Sequence, residues 1–172
     1  MLRPFLLLVL FGVSLSGVSA LVLSGCDALG GEQQQAFVAA AFALPPAGFA
    51  ETDAEGRLIR NDPDDWRTAP VYGSRFLVQQ RPFPNPARAT QQVALVVYTE
   101  GGVPGGLRLY RLDARGALRL MDAEPRATQT GFFTFTFFGS EVSDDGTPGL
   151  YRLILLDGRE NVVTYGDVML AR

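Results

Sequence analysis

The sequence predicts an all-β sandwich preceded by a mostly irregular arm with one short helix. Three observations carry that expectation. From residue 91 onward, short segments rich in Val, Leu, Phe and Tyr follow one another. Turn residues separate them: Gly101-Gly102 with Pro104-Gly105, Asp113 with Gly116, Asp144-Asp145-Gly146 with Pro148-Gly149, and Asp157-Gly158. No helical stretch of roughly 10–15 residues intervenes, which argues against an α/β sheet.

In chain order, Arg3 is the only charge before Asp27, and an apolar stretch runs from Phe5 to about Val13. Small residues then dilute it through Leu23, the layout of a secretory signal. Leu23-Ser24-Gly25-Cys26 resembles the lipobox of bacterial lipoproteins, whose small residues admit a peptidase and whose cysteine accepts a diacylglycerol. The resemblance implies that 1–25 is removed and that Cys26 carries the diacylglycerol and an acyl group on its new amine. Several acyl chains exceed the marginal membrane binding of a single one. As the only cysteine, Cys26 has no partner for an intramolecular bridge. The destination implied is the cell envelope, on a membrane outside the cytoplasm. Asp27 does not choose between the inner membrane, the outer membrane and the surface.

Residues 26–35, polar and glycine-bearing, read as a tether. Residues 36–44, alanine-rich and closed by Pro45-Pro46, suit a short helix with Phe37, Ala40 and Ala41 on one face. The rest of an arm spanning 36–80 is rich in turn residues, with 57–60 and 75–78 as its strand-like pieces and Trp66 and Tyr72 pinned against the main domain. The expected strands of that domain (81–172) are 91–99, 106–112, 117–121, 131–138, 150–156 and 161–170. In 132–138 the two-residue repeat puts Phe133, Phe135 and Phe137 on one face, which is expected to look inward. Phe132, Thr134, Thr136 and Phe138 occupy the other. Tyr151, Leu153 and Leu155 form a similar row.

Arg81-Pro82-Phe83-Pro84-Asn85-Pro86-Ala87 resembles the opening of small Ig-like domains of the flagellar hook-cap type and of the C-terminal sorting domains of Bacteroidetes. The later order also fits: 93–98, then Leu107 to Asp113 with Gly116, then 132–139, Gly149-Leu150-Tyr151, and a last strand from Tyr165 to Leu170. Ala87 stands where that family has phenylalanine, and a lysine-rich ending is absent. With a lipid already supplying the destination, the resemblance implies an Ig-like β-sandwich and an envelope location rather than a sorting role.

The chain has a formal net charge of −3 and contains neither histidine nor lysine. An evenly mixed, mildly acidic surface offers no electrostatic footprint for nucleic acid. Without histidine a Ser-His-Asp arrangement cannot form, and without a second cysteine neither can a thiolate metal cluster. Asn61, Asp62, Asp64 and Asp65 crowd oxygen ligands as a calcium loop would, but lack the EF-hand spacing; Pro63 suits the simpler alternative of a solvated turn. Asp144-Asp145 with Glu141 pose the same choice. No carboxylate pair is singled out for glycoside hydrolysis. Among the aromatics, Trp66 and Tyr72 are candidate partner anchors, with Trp66 weighed chiefly as a plug between arm and sandwich. Tyr98 and Tyr151 are expected to pack within the domain.

These features lead us to expect a membrane-anchored, non-catalytic envelope lipoprotein without a cofactor. It would be a structural or docking module, an accessory subunit of a larger membrane assembly with an envelope protein as partner. A surface carbohydrate-binding module is the alternative, and a carboxylate-dependent hydrolase ranks last.

Overall fold

The computed structural model describes residues 25–172, with side chains from residue 30 onward. Leu23, Ser24 and the rest of the expected signal lie outside the described residues. The chain is mostly β, with one N-terminal helix, α1 (Gly25–Ala41). The arm holds β1 (Glu51–Thr52) and β2 (Leu58–Arg60). The body holds β3 (Phe76–Phe83), β4 (Ala87–Arg88), β5 (Gln92–Thr99), β6 (Leu107–Leu112), β7 (Leu118–Glu124), β8 (Gly131–Phe138), β9 (Gly149–Asp157) and β10 (Val162–Ala171). All six strands expected from residue 91 onward are present, with ends shifted by at most three residues.

The strands form a five-stranded sheet ordered β4-β10-β9-β6-β7 and a three-stranded sheet ordered β3-β5-β8. Neighbours are antiparallel except β10 and β4, where Leu170 faces Ala87 in parallel register. One hydrophobic core lies between the sheets. Val93, Leu95 and Val97 of β5 and Phe135 and Phe137 of β8 meet Leu107, Leu109, Leu153, Leu155, Val168 and Leu170 from the other sheet. Each such side chain removed from water contributes about 1.5–3 kcal/mol. The inward row of β8 is the one its alternation predicts. Along the β7–β8 edge the Thr136 amide donates to Asp122 Oδ2 at 3.2 Å, so the sheets curve together as a half-barrel.

Two boundaries differ from the sequence reading. The expected polar tether is helical, because Glu32 and Gln33 to Gln35 are good helix formers and the helix continues through Gly30 and Gly31, where no side chain crowds the backbone. The helix is also stabilised by tertiary packing: Phe37 and Ala41 are buried against Ile154, Leu156, Val162, Tyr165 and Leu112 on the outer face of the five-stranded sheet. The body begins at Phe76 rather than at residue 81, since β3 pairs with β5 from Phe76↔Thr99 onward. β9 and β10 are consequently covered on both faces, which is why β9 reads as a nearly continuous apolar run.

The arm is stitched to the free edge of β10. The Trp66 amide donates to the Tyr165 carbonyl and the Ala69 amide to the Val163 carbonyl, each at 2.8 Å, with Thr68 bridging Thr164 between them. These bonds cover a strand edge that would otherwise be open to pairing with another chain. Asn85, at the centre of the Pro-Asn-Pro segment, is fully buried. Its Nδ2 donates to the Ala50 and Asp167 carbonyls at 2.9 and 3.0 Å, while its Oδ1 accepts from the Met169 amide at 2.9 Å. The residue that carried the family resemblance thus joins the arm to β10.

Candidate functional site

The four oxygen-bearing residues of the acidic turn diverge. Asn61 Oδ1 accepts from Arg81 at 2.6 Å, and Asp62 Oδ1 accepts from the Asp64 amide at 3.1 Å as in a capped turn. Asp64 stands 3.6 Å from Arg67. Asp65 alone turns inward. Its Oδ2 accepts from the Ala50 amide at 2.8 Å and its Oδ1 from the Asp167 amide at 2.6 Å. Among the described residues, no group of three or more acidic, histidine or cysteine side chains is placed to hold a metal ion. Asp144 pairs instead with Arg111. Asp145 accepts from Ser143 Oγ and the Thr147 amide, both at 2.9 Å, and these hydrogen bonds hold its carboxyl down to about 2.

Behind Asp65 lies a buried charge cluster that no motif announced. Arg152 of β9 grips both carboxylate oxygens of Asp167 on β10 in a bidentate pair, with Nη2 to Oδ2 at 2.9 Å. Its Nη1 reaches the α1 carbonyls of Ala40 and Ala41 at 2.7 and 3.3 Å, capping the helix end where unpaired carbonyls gather. The guanidinium also lies 4.9 Å from the Tyr165 ring centroid, and that ring meets Phe37 at 5.0 Å. A cavity of about 280 Å³ opens beside this cluster, lined by Asp62, Asp64, Asp65, Arg67, Arg152 and Tyr165 among others. Both oxygens of Asp65 and both of Asp167 are already engaged by donors of the chain, so the arrangement acts first as a lock between helix, arm and sheet.

Burial pushes Asp65 up to about 7, even with two amides favouring its charged form; the Asp167 carboxylate nearby adds to the rise. Burial likewise raises Asp167 against the opposing pull of Arg152. A carboxyl raised in the folded state binds more protons there than in the unfolded chain between about pH 4 and 7, so stability falls as pH rises through that window. The depressed carboxyls, such as Asp145, act at lower pH, and no histidine titrates in between. Denaturant unfolding is therefore expected to show greater stability at pH 5 than at pH 8, by of the order of 2 kcal/mol. Asp65→Asn should flatten that slope; an equally steep slope in the variant would remove Asp65 as its source.

Trp66 is 3 % exposed and packs into the main core, in the role of plug rather than of exposed anchor. Its backbone lies in the left-handed region at φ 61, and its buried indole N–H has no hydrogen-bond acceptor among the described residues. Tyr72 is half-buried, donating its hydroxyl to Asp157 Oδ2 at 2.7 Å. Burial raises the Tyr72 hydroxyl, and the adjacent Asp157 carboxylate adds to this.

The aromatic surface lies elsewhere. On the outer face of the three-stranded sheet, Leu77, Tyr98 and Phe132 stand in one cross-strand row. Phe132 is 65 % exposed and Leu77 47 %. The Tyr98 and Phe132 rings lie 5.0 Å apart at 49°. Tyr98 was expected to pack inside its hydrophobic strand; the two-residue repeat instead sends Val93, Leu95 and Val97 inward and Tyr98 outward. Tyr151 does pack against the core and donates its hydroxyl to the Thr147 carbonyl at 2.6 Å.

The Gly25 and Cys26 backbone forms the start of α1. No helix among the described residues is long and apolar enough to cross a membrane. Comparison with protein-family models, with curated proteins and with solved structures returns no match to this chain.

Proposed function

We propose that this chain is an envelope lipoprotein, anchored through a lipid on Cys26, whose body is an Ig-like β-sandwich serving as a docking module for a protein partner of a membrane assembly. The fold reading is supported by two mainly antiparallel sheets sharing one core. The anchor rests on Leu23-Ser24-Gly25-Cys26 following an apolar leader. The observation that carries the docking role is the row of Leu77, Tyr98 and Phe132, three large side chains contiguous on a sheet face that no other element among the described residues covers. Aromatic residues grouped in this way are typical of the anchors that dominate protein interfaces. Carbohydrate binding is less well served, because rings inclined at 49° do not present the coplanar platform on which a sugar stacks.

The test is differential capture from gently solubilised native membranes, with the parent protein and a Leu77→Asp/Phe132→Asp variant compared side by side. Both positions are exposed, so the fold should survive with stability changed by about 0.5 kcal/mol or less per site. Partner recovery is expected to fall at least tenfold in the variant. Equal recovery of the same partner would remove this face as the docking surface, and recovery of only the lipidated monomer from the parent would count against the docking role altogether.

A further inference from the structure

The way α1 lies on the body fixes which end of the body faces the lipid. Three contacts follow one another along the helix. At its C-terminus the Ala40 and Ala41 carbonyls are held by Arg152. One turn earlier Phe37 packs on Tyr165. One turn earlier again, Gln34 Oε1 accepts from the Val71 amide at 3.3 Å. Arg152 and Tyr165 lie in register with Asp167 and Ile154, so the helix runs along β10 with its N-terminus toward the β9–β10 turn. Cys26 lies eight residues before Gln34, about 12 Å further along the same axis.

The loops gathered at that end are identifiable. Tyr72 donates to Asp157, Gly158 donates its amide to the Pro104 carbonyl, and the Glu100 amide donates to the Arg75 carbonyl. Val71, Arg75 and Arg159 stand exposed around Tyr72, with both guanidiniums close enough to act on its hydroxyl. Neither arginine forms an ion pair among the described residues. Glu100 and Glu160 share the rim, both exposed. By contrast Arg57 and Arg60 belong to the β1–β2 region at the opposite end and pair with Asp53, Glu55 and Glu51.

We propose that the rim of Val71, Arg75, Arg159, Glu100 and Glu160 is the bilayer-facing surface of the domain, resting on zwitterionic headgroups. This rests on the lipid anchor proposed above. A headgroup layer is roughly 5–8 Å thick on each side of a bilayer, so a rim about 12 Å from the lipidated residue comes within reach of long side chains. Guanidiniums match lipid phosphates and the two carboxylates match ammonium groups, a pairing that a mixed, nearly neutral rim allows and a one-signed patch would not. Val71, an exposed apolar residue beside the helix, suits the boundary layer.

The test uses the full lipidated protein on vesicles of phosphatidylethanolamine and phosphatidylcholine carrying a headgroup-linked energy acceptor. A donor dye is placed at Val71→Cys or, at the opposite end, at Ile59→Cys; both native residues are exposed. The ends are separated by the length of β10, about 30 Å. Energy transfer is expected to be at least threefold more efficient from position 71 than from position 59. Equal or reversed efficiencies on vesicles that carry the protein would overturn the orientation while leaving the anchor intact. Failure of the protein to float with vesicles would remove the anchor and this orientation with it.

Discussion

Replacing Arg152 with methionine is expected to cost about 3–5 kcal/mol of folding stability, the range for removing one partner of a buried ion pair. Asp167, 3 % exposed, would keep its carboxylate without the guanidinium that offsets its burial, and Asp65 stands beside it at 4 %. The α1 carbonyls of Ala40 and Ala41 would lose the guanidinium as well, leaving Ala40 with the Ala43 amide alone. Two measurements separate these losses. Denaturant melts report the global cost, and hydrogen exchange reports the helix, whose amides from Glu32 to Ala41 should exchange faster than the loss of global stability accounts for. The compensated variant Arg152→Met/Asp167→Leu should recover much of the global stability, since it buries no orphan charge, yet leave the helix end loose. A single variant as stable as the parent would show that the pair contributes nothing.

Gly166→Ala is expected to be the next most damaging change, at about 3 kcal/mol. A Cβ at this position would fall on the indole of Trp66 and on Asp65 Oδ1. Neither neighbour has room to retreat. Trp66 is tied by its own amide to the Tyr165 carbonyl at 2.8 Å, and Asp65 by two amides from different segments. For a domain of this size such a loss lowers Tm by about 6–12 °C, readable by circular dichroism. The two nearest atoms in the collision belong to the indole, so Gly166→Ala and Trp66→Phe should couple by more than about 1 kcal/mol in a double-mutant cycle. Strict additivity would place the damage elsewhere.

What could be read ahead of the structure follows from periodicity. Phe133, Phe135 and Phe137 declare an inward face because two-residue alternation is a property of any strand with one side covered. The same alternation put Phe132 on the outward face, so one of the three residues of the exposed row was already visible; Tyr98 was not, because a uniformly apolar strand does not say which of its faces meets solvent. The helix over the tether was hidden by Gly30 and Gly31, whose local preference is overruled by the docking of Phe37 downstream. The buried cluster escaped for a different reason. Arg152 and Asp167 are fifteen positions apart, and their single clue was a charge within each of two hydrophobic strands. Only the pairing of β9 with β10 shows that those charges answer each other.

The stitching of the arm has a consequence in time. Arg152 reaches a carbonyl 112 positions before it, and Asp65 receives an amide 102 positions after it. The Trp66, Ala69 and Asn85 bonds likewise end on β10, far downstream of the arm. A polypeptide emerging N-terminus first would therefore present α1 and the whole arm long before anything exists to receive them. Loop closure over such spans is slow. The early half must wait as an unsatisfied chain, and arrival of β10 closes the helix, the arm and the sheet edge together. β10 is in this sense the molecule's clasp: helix, arm and sheet edge are all fastened by a strand that lies far downstream of them.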